Sequence, residues 1–407
     1  MAGGLCSRSC MTRTHQSDRA ELRDVAALFL RLGFSGFGGP AAHIAMMEEE
    51  VVHRRGWLSS EEFLDLLGAV NLMPGPSSTE LAIFIGYRRA GWAGLVLGGV
   101  CFILPAILIV SVIAWAYVRY GALPQAAGIL YGVKPVVIAV VAQALWTLGR
   151  KAVKTWALAV ICGGVFLGGA LSRGPLVLLL AAGVCAALFS VWRKSGGARL
   201  SLTAALNGSA LGGSMAPAAV SITAPVTLPA VFLVFLKIGS VLFGSGYVLL
   251  AFLRSELVES RHWLTESQLL DAVAVGQFTP GPVLTTATFV GYILGGPVAG
   301  LVATVGIFAP AFVFIALGGR FVPILRRSRT AGAFLDGVNA ASVALMAVVL
   351  CQLGAAALVD WLAIGLALGA FLCLLWKRLN SSWLMLGGAA VGLVASIFQK
   401  SGTVGAH

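Results

Sequence analysis

Long apolar runs alternate with short polar clusters along most of this chain. The clearest apolar runs are Gly91–Tyr117, Val136–Leu148, Leu228–Leu253, Gly295–Gly319 and Trp361–Trp376. A helix needs about 20 apolar residues to cross a bilayer, and several of these runs reach that length. The pattern therefore predicts an all-α polytopic membrane protein.

Two stretches with the same order of motifs divide the chain into similar halves. Trp57-Leu58 recurs as Trp263-Leu264, and Pro74-Gly75-Pro76 recurs as Pro280-Gly281-Pro282. After the second motif the correspondence shifts by one residue and then continues. The predicted organisation is a disordered N-terminal tail at 1–20, membrane repeats at 21–192 and 228–400, a Ser-, Ala-, Gly- and Pro-rich flexible linker at 193–227, and a short tail at 401–407.

The halves divide alike into spans. In the first half the pattern predicts a first span at Val25–Met46, a polar loop at Glu48–Ser60 and a broken segment at Glu61–Tyr87. Four more spans follow at about 91–118, 124–148, 155–172 and 174–192. The second half offers 228–252, the broken segment 266–292, and then 295–319, 331–353, 357–376 and 382–399.

Composition supports this assignment. Of the 407 residues, 58% are hydrophobic and only 11% are charged, with a mean hydropathy of +0.93, whereas a soluble domain has about 25% charged residues. The 51 glycines suit close packing of helices in lipid. The net charge of +12 does not indicate a nucleic-acid partner, because the basic residues form short clusters at helix ends, where membrane-flanking positive charge lies.

The broken segment has two interpretations. Either it crosses the membrane once as a kinked helix, or its two short half-helices enter and leave on one side as a hairpin. With a hairpin each half crosses five times, and most Lys and Arg residues, including Arg54, Arg88, Arg150 and Arg326, share one face. With a single crossing the positive charges divide almost evenly. The positive-inside rule therefore favours the hairpin, which inverts the second half and places both termini outside.

The two Pro-Gly-Pro breaks contain the candidate substrate site. A proline suits the first position of a helix, and the amides that follow it lack helical partners and carry the positive end of the helix dipole. Hydroxyl groups follow both breaks, at Ser77, Ser78, Thr79, Thr285 and Thr286. Such helix starts bind oxyanions, and matched breaks in two halves indicate a transporter site. The alternative is that each motif only bends a helix.

Matched cations and glycines lie in the first span of each half. Arg31 and Lys237 occupy corresponding positions without a matched acid beside them, and charges inside a membrane usually face a cavity or a partner. We expect them to attract an anion, with snorkelling toward the interface as the alternative. Gly38, Gly39 and Gly244 permit the close approach of either a ligand or another helix.

Other polar residues lie near the breaks or in the polar loops. Asn71 and Gln277 precede the two breaks and offer amide donors. Asp65 and Asp271 are matched, and we favour a structural role for them over proton transfer. Glu80 has no acidic counterpart, and we expect it to point away from the anion. In the polar loops, ion pairs of Glu50 with Arg55 and of Glu256 with Arg261 are expected.

No motif indicates catalysis or a cofactor. The chain has no Walker motif, no dinucleotide fingerprint and no metal-ligand spacing, and its seven cysteines are scattered. His43, His53 and His262 are isolated in the sequence. We therefore predict that the protein is not an enzyme and has no cofactor or metal, and that transport is secondary or driven by a separate subunit. A membrane-embedded enzyme acting on a lipid-linked phosphate would need a nucleophile or metal cluster near the breaks.

The motifs resemble those of the chromate ion transporter family. The resemblance lies in Phe37-Gly38-Gly39-Pro40, Trp57-Leu58 and Pro74-Gly75-Pro76, with a second set in Phe243-Gly244-Ser245-Gly246, Trp263-Leu264 and Pro280-Gly281-Pro282. It covers nearly the whole chain, both halves in order. It implies a long-chain, two-domain member that exports chromate across a bacterial inner membrane and confers chromate resistance. The second set departs from the first at Ser245 and Gly246.

The sequence as a whole predicts a secondary anion transporter with two inverted five-span repeats, each with a broken-helix hairpin. The predicted substrate-binding residues are Arg31, Gly38, Gly39, Asn71, Pro74, Gly75, Pro76, Ser77, Ser78, Thr79, Lys237, Gly244, Gln277, Pro280, Gly281, Pro282, Thr285 and Thr286. The expected partners are chromate or a sulfate-like oxyanion and the lipid bilayer, with no nucleic acid. A sulfate or other oxyanion carrier, an anion channel and a homodimer are alternatives that the sequence leaves open.

Overall fold

A computed structural model describes residues 6–36, 39–71, 73–121, 123–171, 174–194, 225–242, 246–318, 329–377 and 381–404. Regular structure within these ranges is helical. The first half contains α1 (Cys6–Ser35), α2 (Pro40–Glu48) with a π-helical continuation (Glu49–Arg54), α3 (Ser60–Val70), α4 (Ser77–Tyr120), α5 (Pro124–Ala152), α6 (Trp156–Ala170) and α7 (Pro175–Lys194).

The second half repeats this order. It contains α8 (Leu228–Val241), a 3₁₀ turn (Gly246–Val248), α9 (Leu249–Leu253) with a π-helical continuation (Arg254–Ser260), α10 (Glu266–Phe278), a 3₁₀ turn (Val283–Thr285), α11 (Thr286–Gly318), α12 (Arg329–Ala357), α13 (Trp361–Lys377) and α14 (Ser381–Val404). α1 begins at Cys6, inside the segment 1–20 that was predicted as a tail, because an existing helix extends at little cost for each added residue. Most of the predicted linker 193–227 lies outside the described ranges.

Within the described ranges, five helical stretches are long and apolar enough to cross a membrane. They are Ser77–Tyr120, Gln125–Ala152, Pro175–Trp192, Val283–Gly318 and Thr330–Ala357. The chain is thus a multi-pass membrane protein, which confirms the predicted all-α polytopic class.

The broken segment of the first half is a hairpin. The Glu62 carboxylate at the start of α3 lies 3.6 Å from the Arg88 guanidinium, whereas a straight helix of that length would separate them by about 39 Å. A hydrogen bond from the Ser59 backbone holds the pKa of Glu62 below its ordinary value, so the carboxyl is ionised for this pair. In the second half, a methyl group on Gly276 would lie 2.0 Å from Thr286 Oγ1, so the arms of that hairpin also touch.

α4 itself reverses direction after the hairpin. Ala90 and Gly91 have non-helical backbone angles, and a methyl group on Gly98 would lie 2.6 Å from the Ala82 carbonyl oxygen. The first arm of α4, which ends near Arg89, therefore packs antiparallel against the second arm. α11 reverses in the same way at Gly295 and Gly296.

The first predicted span, Val25–Met46, folds back instead of crossing. Arg31 on α1 pairs with Glu50 beyond α2, although a straight helix would place them about 28 Å apart. Lys237 and Glu256 form the matching pair in the second half. Each repeat therefore holds two consecutive helical hairpins, because α1 ends at Ser35 before it has crossed.

This fold-back corrects the predicted position of the N-terminal end. Glu21 near the start of the apolar part of α1 lies 3.3 Å from Arg89, so this end shares a face with Arg88 and Arg89. The sequence had placed it on the opposite face, since it counted Val25–Met46 as a crossing. Arg19 and Arg23 thereby join the face that already holds the other arginine clusters.

Contacts between the halves show that the repeats are inverted. Lys154, after the end of α5, lies 3.4 Å from Asp336 near the start of α12, whereas Tyr131 near the start of α5 donates to Asp360 after the end of α12. The corresponding helices α5 and α12 therefore run in opposite directions. Inversion of the second half, predicted from the charge distribution, is confirmed.

The halves are also interlocked through small residues. α5 packs against α13 and α14 of the other half, and α12 packs reciprocally against α6 and α7. A methyl group on Gly132 of α5 would lie 1.9 Å from the Gly388 carbonyl oxygen of α14, and one on Gly392 would lie 2.2 Å from the Gly128 carbonyl oxygen. Both helices thus present a Gly-xxx-Gly face that lets their backbones touch.

Candidate substrate site

Both Pro-Gly-Pro tips dock on the first break of the opposite half. The Gly75 N–H donates to the Leu242 carbonyl oxygen at 2.6 Å, and the Gly281 N–H donates to the Gly36 carbonyl oxygen at 2.8 Å. Leu242 and Gly36 occupy matching positions directly after α8 and α1. These two reciprocal hydrogen bonds bring four helix breaks together at the junction of the repeats: the two Pro-Gly-Pro tips and the breaks after α1 and α8.

The tips need glycine for conformation and for space. Gly75 has a φ of 152° and Gly281 a φ of 97°. A methyl group on Gly281 would lie 2.8 Å from the Ala106 side chain, so this tip fits closely between α4 and the Gly36 carbonyl. Pro76, Pro280 and Pro282 are buried beside the glycines, and Pro74 is half-buried.

The helix start after Pro76 retains free donors. The Thr79 and Glu80 amides donate to the Pro76 carbonyl oxygen at 2.8 and 3.0 Å, but no carbonyl in the described ranges accepts from the Ser77 and Ser78 amides. The Thr79 hydroxyl is buried and has no hydrogen-bond partner there. Two amides and one hydroxyl are thus available at this start for an anion.

The helix start after Pro282 uses its hydroxyls locally. Thr285 Oγ1 donates to the Pro282 carbonyl oxygen and Thr286 Oγ1 to the Val283 carbonyl oxygen, both at 2.8 Å. The Gln277 Nε2 amide in the preceding arm is buried without a partner among the described residues. The main free side-chain donor at this tip is therefore Gln277.

Arg31 and Lys237 are not isolated cations. The Arg31 guanidinium contacts Glu50, and the Lys237 ammonium contacts Glu256. The expectation that no matched acid lies beside them is wrong, because the acid is brought back by the chain reversal rather than by sequence proximity. The predicted pairs of Glu50 with Arg55 at 3.4 Å and of Glu256 with Arg261 at 3.8 Å are confirmed. Glu50 also pairs with Arg54 at 3.1 Å, so it contacts three cations and Glu256 contacts two.

The other predicted site residues lie at the edges of this junction. Gly39 caps the start of α2 with a φ of 78°. Asn71 ends α3 and is exposed. Gly38 and Gly244 fall outside the described residues.

The matched aspartates have different surroundings. Asp65 is exposed, whereas Asp271 is buried and accepts a hydrogen bond of 2.9 Å from the Tyr117 hydroxyl. The Lys134 ammonium lies 3.2 Å from Asp271 Oδ1 as an ion pair, without the alignment of a hydrogen bond, and it donates to Ser267 at 2.7 Å. Asp271 thus joins α4, α5 and α10 on the face opposite the arginine clusters.

Sequence reasoning missed two residues at the first tip. His43 is buried, with Nε2 2.9 Å from the Gly36 carbonyl oxygen and Nδ1 3.5 Å from the Ser78 hydroxyl. Because a carbonyl only accepts, Nε2 carries the proton, and Nδ1 accepts from Ser78. Glu80, expected to point away, instead folds toward the tip: a methyl group on Gly75 would lie 2.3 Å from Glu80 Oε1. No signal in the sequence gives either orientation.

The described ranges contain no group of three or more His, Cys, Asp or Glu residues suited to a metal ion. The groups at the junction are amide and hydroxyl donors, a neutral imidazole and one carboxyl. Such a set can bind a small anion through hydrogen bonds.

Comparison with known proteins agrees with the duplicated architecture. The chromate transporter family matches residues 23–188 and again residues 229–393. The chain is 33% identical to the chromate transport protein of Cupriavidus metallidurans, over 94% of this chain and 95% of that protein. It is also 33% identical to the chromate transport protein of Pseudomonas aeruginosa over 79% of this chain and 78% of that protein, and 31% identical to the probable chromate transport protein of Synechococcus elongatus over 85% and 88%.

No solved structure matches the chain significantly. The two matched regions cover both halves with their hairpins, and the relatives are similar over most of their length. The chain belongs to the chromate transporter family.

Proposed function

We propose that this protein is a secondary transporter that exports chromate across the bacterial inner membrane and thereby confers chromate resistance. The observation that carries the proposal is the reciprocal pair of hydrogen bonds from Gly75 to Leu242 and from Gly281 to Gly36. It brings two helix starts of opposite direction to one junction between inverted repeats. Transporters with such repeats bind substrates where broken helices meet. The names of the relatives support chromate as the anion.

The anion would bind mainly at the first tip. The Ser77 and Ser78 amides and the Thr79 hydroxyl are free donors there, and Gln277 adds an amide from the other half. Chromate is a tetrahedral dianion, so its oxygens can accept from several directions at once. Hydrogen bonds to a charged acceptor are stronger than neutral ones, each contributing about 1.5–3 kcal/mol.

The membrane potential favours export. Moving one charge through 100 mV is worth about 2.3 kcal/mol, so a dianion leaving an inside-negative cell gains about 4.6 kcal/mol. That energy corresponds to a concentration ratio of over three decades. Export is therefore possible without ATP, whereas uptake of a dianion would require several accompanying cations.

Alternating access would use the interlocked halves. In the described state each tip is held by a carbonyl of the other half, so movement of one half must break one or both of these hydrogen bonds. The ion pairs of Arg31 with Glu50 and of Lys237 with Glu256 join the two arms of the first hairpin in each half. We expect the two cations to add positive potential to whichever path opens.

The test uses purified protein in vesicles loaded with chromate. A potassium diffusion potential, positive outside, is expected to drive chromate out of wild-type vesicles. Thr79→Val removes a buried hydroxyl that has no partner in the described structure, so it should not destabilise the fold. Losing one hydrogen bond to a charged ligand is expected to raise the half-saturating chromate concentration about tenfold.

Thr288→Val is the matched control. The Thr288 hydroxyl contacts the Thr304 hydroxyl at 2.7 Å, so it already has a partner and is not among the donors assigned to the anion. Its loss is expected to leave chromate affinity unchanged. Chromate movement that ignores the potential, or equal affinities in Thr79→Val and wild type, would contradict the proposal. Sulfate added as a competitor decides between a chromate exporter and a general carrier of tetrahedral dianions.

A further inference from the structure

The first tip contains a carboxyl with no partner. Glu80 lies one turn into α4 and is 0% exposed, and neither of its carboxyl oxygens has a hydrogen-bond partner in the described structure. The neighbouring Thr79 hydroxyl is also buried without a partner. A carboxyl in this position normally requires a compensating charge or donors.

The carboxyl is directed into the tip rather than out of the helix bundle. A methyl group on Gly75 would lie 2.3 Å from Glu80 Oε1 and 2.8 Å from Glu80 Cδ. Gly75 is the residue whose amide holds the tip to Leu242. Glu80 is therefore packed directly against the point where the two halves join, beside the donors assigned to the anion.

No cation in the described part of the chain compensates Glu80. The surrounding elements carry the following charged or titratable groups: Arg19, Glu21, Arg23, Asp24 and Arg31 on α1 from residue 19 onward; His43, Glu48, Glu49, Glu50, His53, Arg54 and Arg55 on and after α2; Glu61, Glu62 and Asp65 on α3; Tyr87, Arg88, Arg89, Cys101, Tyr117, Arg119 and Tyr120 on α4; Lys237 on α8; Glu266 and Asp271 on α10; and Tyr292 on α11. Arg31, Arg88, Arg89 and Lys237 pair with other glutamates. His43 is turned toward Gly36 and Ser78.

An ionised carboxylate in this position would be unpaired, fully desolvated and close to a bound dianion. Burying an unpaired charge costs far more than burying the neutral acid, so the group binds a proton instead. A protonated carboxyl also has an O–H that can donate to an oxyanion, whereas the carboxylate would repel it.

We propose that Glu80 is the proton-binding site of this transporter and that one proton crosses the membrane together with each oxyanion. The inference rests on the proposed transport function and specifies its coupling. The proton comes from water at the face that is open, forms the O–H bond of the Glu80 carboxyl in the closed state, and returns to water when the tip opens on the other face. The corresponding position in the second half is Thr286, so the second tip has no carboxyl at this position.

The stoichiometry predicts a measurable dependence on pH. A dianion that moves with one proton carries one net negative charge. Export is therefore favoured by an inside-negative potential and opposed when the outside is more acidic than the inside. With the potential clamped at zero, a pH difference across the vesicle should concentrate the anion on the alkaline side, about tenfold for each pH unit.

The test uses full-length protein in vesicles, with radiolabelled sulfate or chromate at pH values where each is a dianion. Wild type is expected to accumulate anion on the alkaline side and to move protons with it, as seen with a trapped pH dye. Glu80→Gln keeps the size of the side chain but cannot release a proton. We expect it to lose pH-driven accumulation, while its anion exchange becomes independent of pH.

Glu61→Gln is the matched control, because Glu61 is an exposed carboxylate at the far end of the hairpin. It is expected to accumulate anion as wild type does. Accumulation by Glu80→Gln equal to that of wild type would overturn the inference. So would accumulation driven by a sodium gradient instead of a pH gradient, which would make the site a cation site.

The outcomes separate this inference from the proposed function. If wild type exchanges chromate but shows no pH-driven accumulation, the proton site is wrong and transport stands. If wild type does not exchange chromate at all, the proposed function itself is wrong. Should Glu80→Gln fail to fold, the wild-type dye measurement still decides, because it reports directly whether protons accompany the anion.

Discussion

At the residue scale, the junction depends on glycines that perform two tasks at once. Gly75 and Gly281 adopt φ values that residues with a Cβ rarely adopt, and each also donates its amide across the repeat boundary. The flanking prolines have no amide hydrogen to offer, so the glycine N–H is the donor that the tip presents. The Pro-Gly-Pro sequence therefore sets both the turn and the direction of its hydrogen bond.

Gly281→Ala is expected to destabilise the protein and reduce transport strongly. The left-handed φ of 97° costs about 1–2 kcal/mol for an alanine, and the added methyl would lie 2.8 Å from the Ala106 side chain. Overpacking adds about 1–3 kcal/mol. Thermal unfolding in detergent, followed by tryptophan fluorescence, measures the loss.

The control for that substitution is Gly163→Ala, at a helical position with open space around it. Alanine there is expected to be neutral or slightly stabilising. Adding Ala106→Gly to Gly281→Ala should restore the part of the loss that comes from the clash. An unfolding temperature of Gly281→Ala equal to that of wild type would show that the tip is not packed as described.

Only part of this site could be predicted from the residues. Pro-Gly-Pro marks both tips because a missing N–H and a flexible glycine act locally, whatever the fold. His43 and Glu80 could not be oriented in the same way, since their directions depend on contacts with Gly36 and Gly75. The bond from Gly281 to Gly36 joins residues in different halves, and no periodicity along the chain encodes it.

At the element scale, the apolar pattern predicted the helices, but it did not predict every point at which the chain reverses direction. The hairpin between α3 and α4 was predicted from the distribution of Lys and Arg residues, because a single crossing would divide the positive charges almost evenly between the two faces. The reversal at 36–39 was missed because Val25–Met46 as a whole is long enough to cross. The pair of Arg31 with Glu50 reveals the reversal, and the sequence offers no way to choose that pair over Arg55 with Glu50 alone.

A double-mutant cycle can test the contact of Asp271 with Lys134, which joins α10 to α5. Lys134→Met leaves a buried carboxylate with only the Tyr117 hydroxyl, and removing one partner of a buried pair costs about 3–5 kcal/mol. Asp271→Asn is expected to cost less, because Lys134 keeps Ser267 and is 20% exposed. Chemical denaturation in detergent gives the free energies of unfolding.

The double variant Lys134→Met, Asp271→Asn is expected to recover much of the loss seen in Lys134→Met. The coupling energy should then reach about 1–3 kcal/mol, as expected for residues in direct contact. The exposed pair Lys154–Asp336, at 3.4 Å, serves as the control cycle, with an expected coupling below about 1 kcal/mol. Equal coupling in both cycles would show that Asp271 is hydrated rather than buried.

At the scale of the whole molecule, the halves share a fold but differ in chemistry. The first tip has Glu80, His43 and free donors, whereas the second has Thr286 and Leu249 at the matching positions and uses its hydroxyls within its own turn. In the proposed mechanism, the shared fold of the halves would provide the two access paths, and their different residues would place the proton and most anion contacts in the first half. Comparing the sequences of the two halves shows which residues differ, but only the packed structure shows which of these residues face the junction.

The arrangement of charged ends gives the final prediction, which concerns topology. Arg88 at the end of the first arm of α4 and Arg150 at the end of α5 lie on one face of the membrane domain. Arg119 at the end of α4 lies on the other face. The pair of Glu21 with Arg89 places Arg19 on the same face as Arg88 and Arg150. This arginine-rich face should be cytoplasmic by the positive-inside rule. In a cysteine-free background, single cysteines at positions 19, 54, 88 and 119 are treated with a membrane-impermeant maleimide.

In spheroplasts, Arg119→Cys is expected to be labelled, whereas Arg19→Cys, Arg54→Cys and Arg88→Cys should react only in inside-out vesicles. Labelling of Arg54→Cys and Arg88→Cys from different sides would mean that the broken segment between them crosses the membrane, which excludes the hairpin. Labelling of Arg19→Cys and Arg54→Cys from different sides would restore the crossing first inferred for Val25–Met46. The positions thus test the two hairpins of the first repeat separately, since each hairpin lies between a different pair.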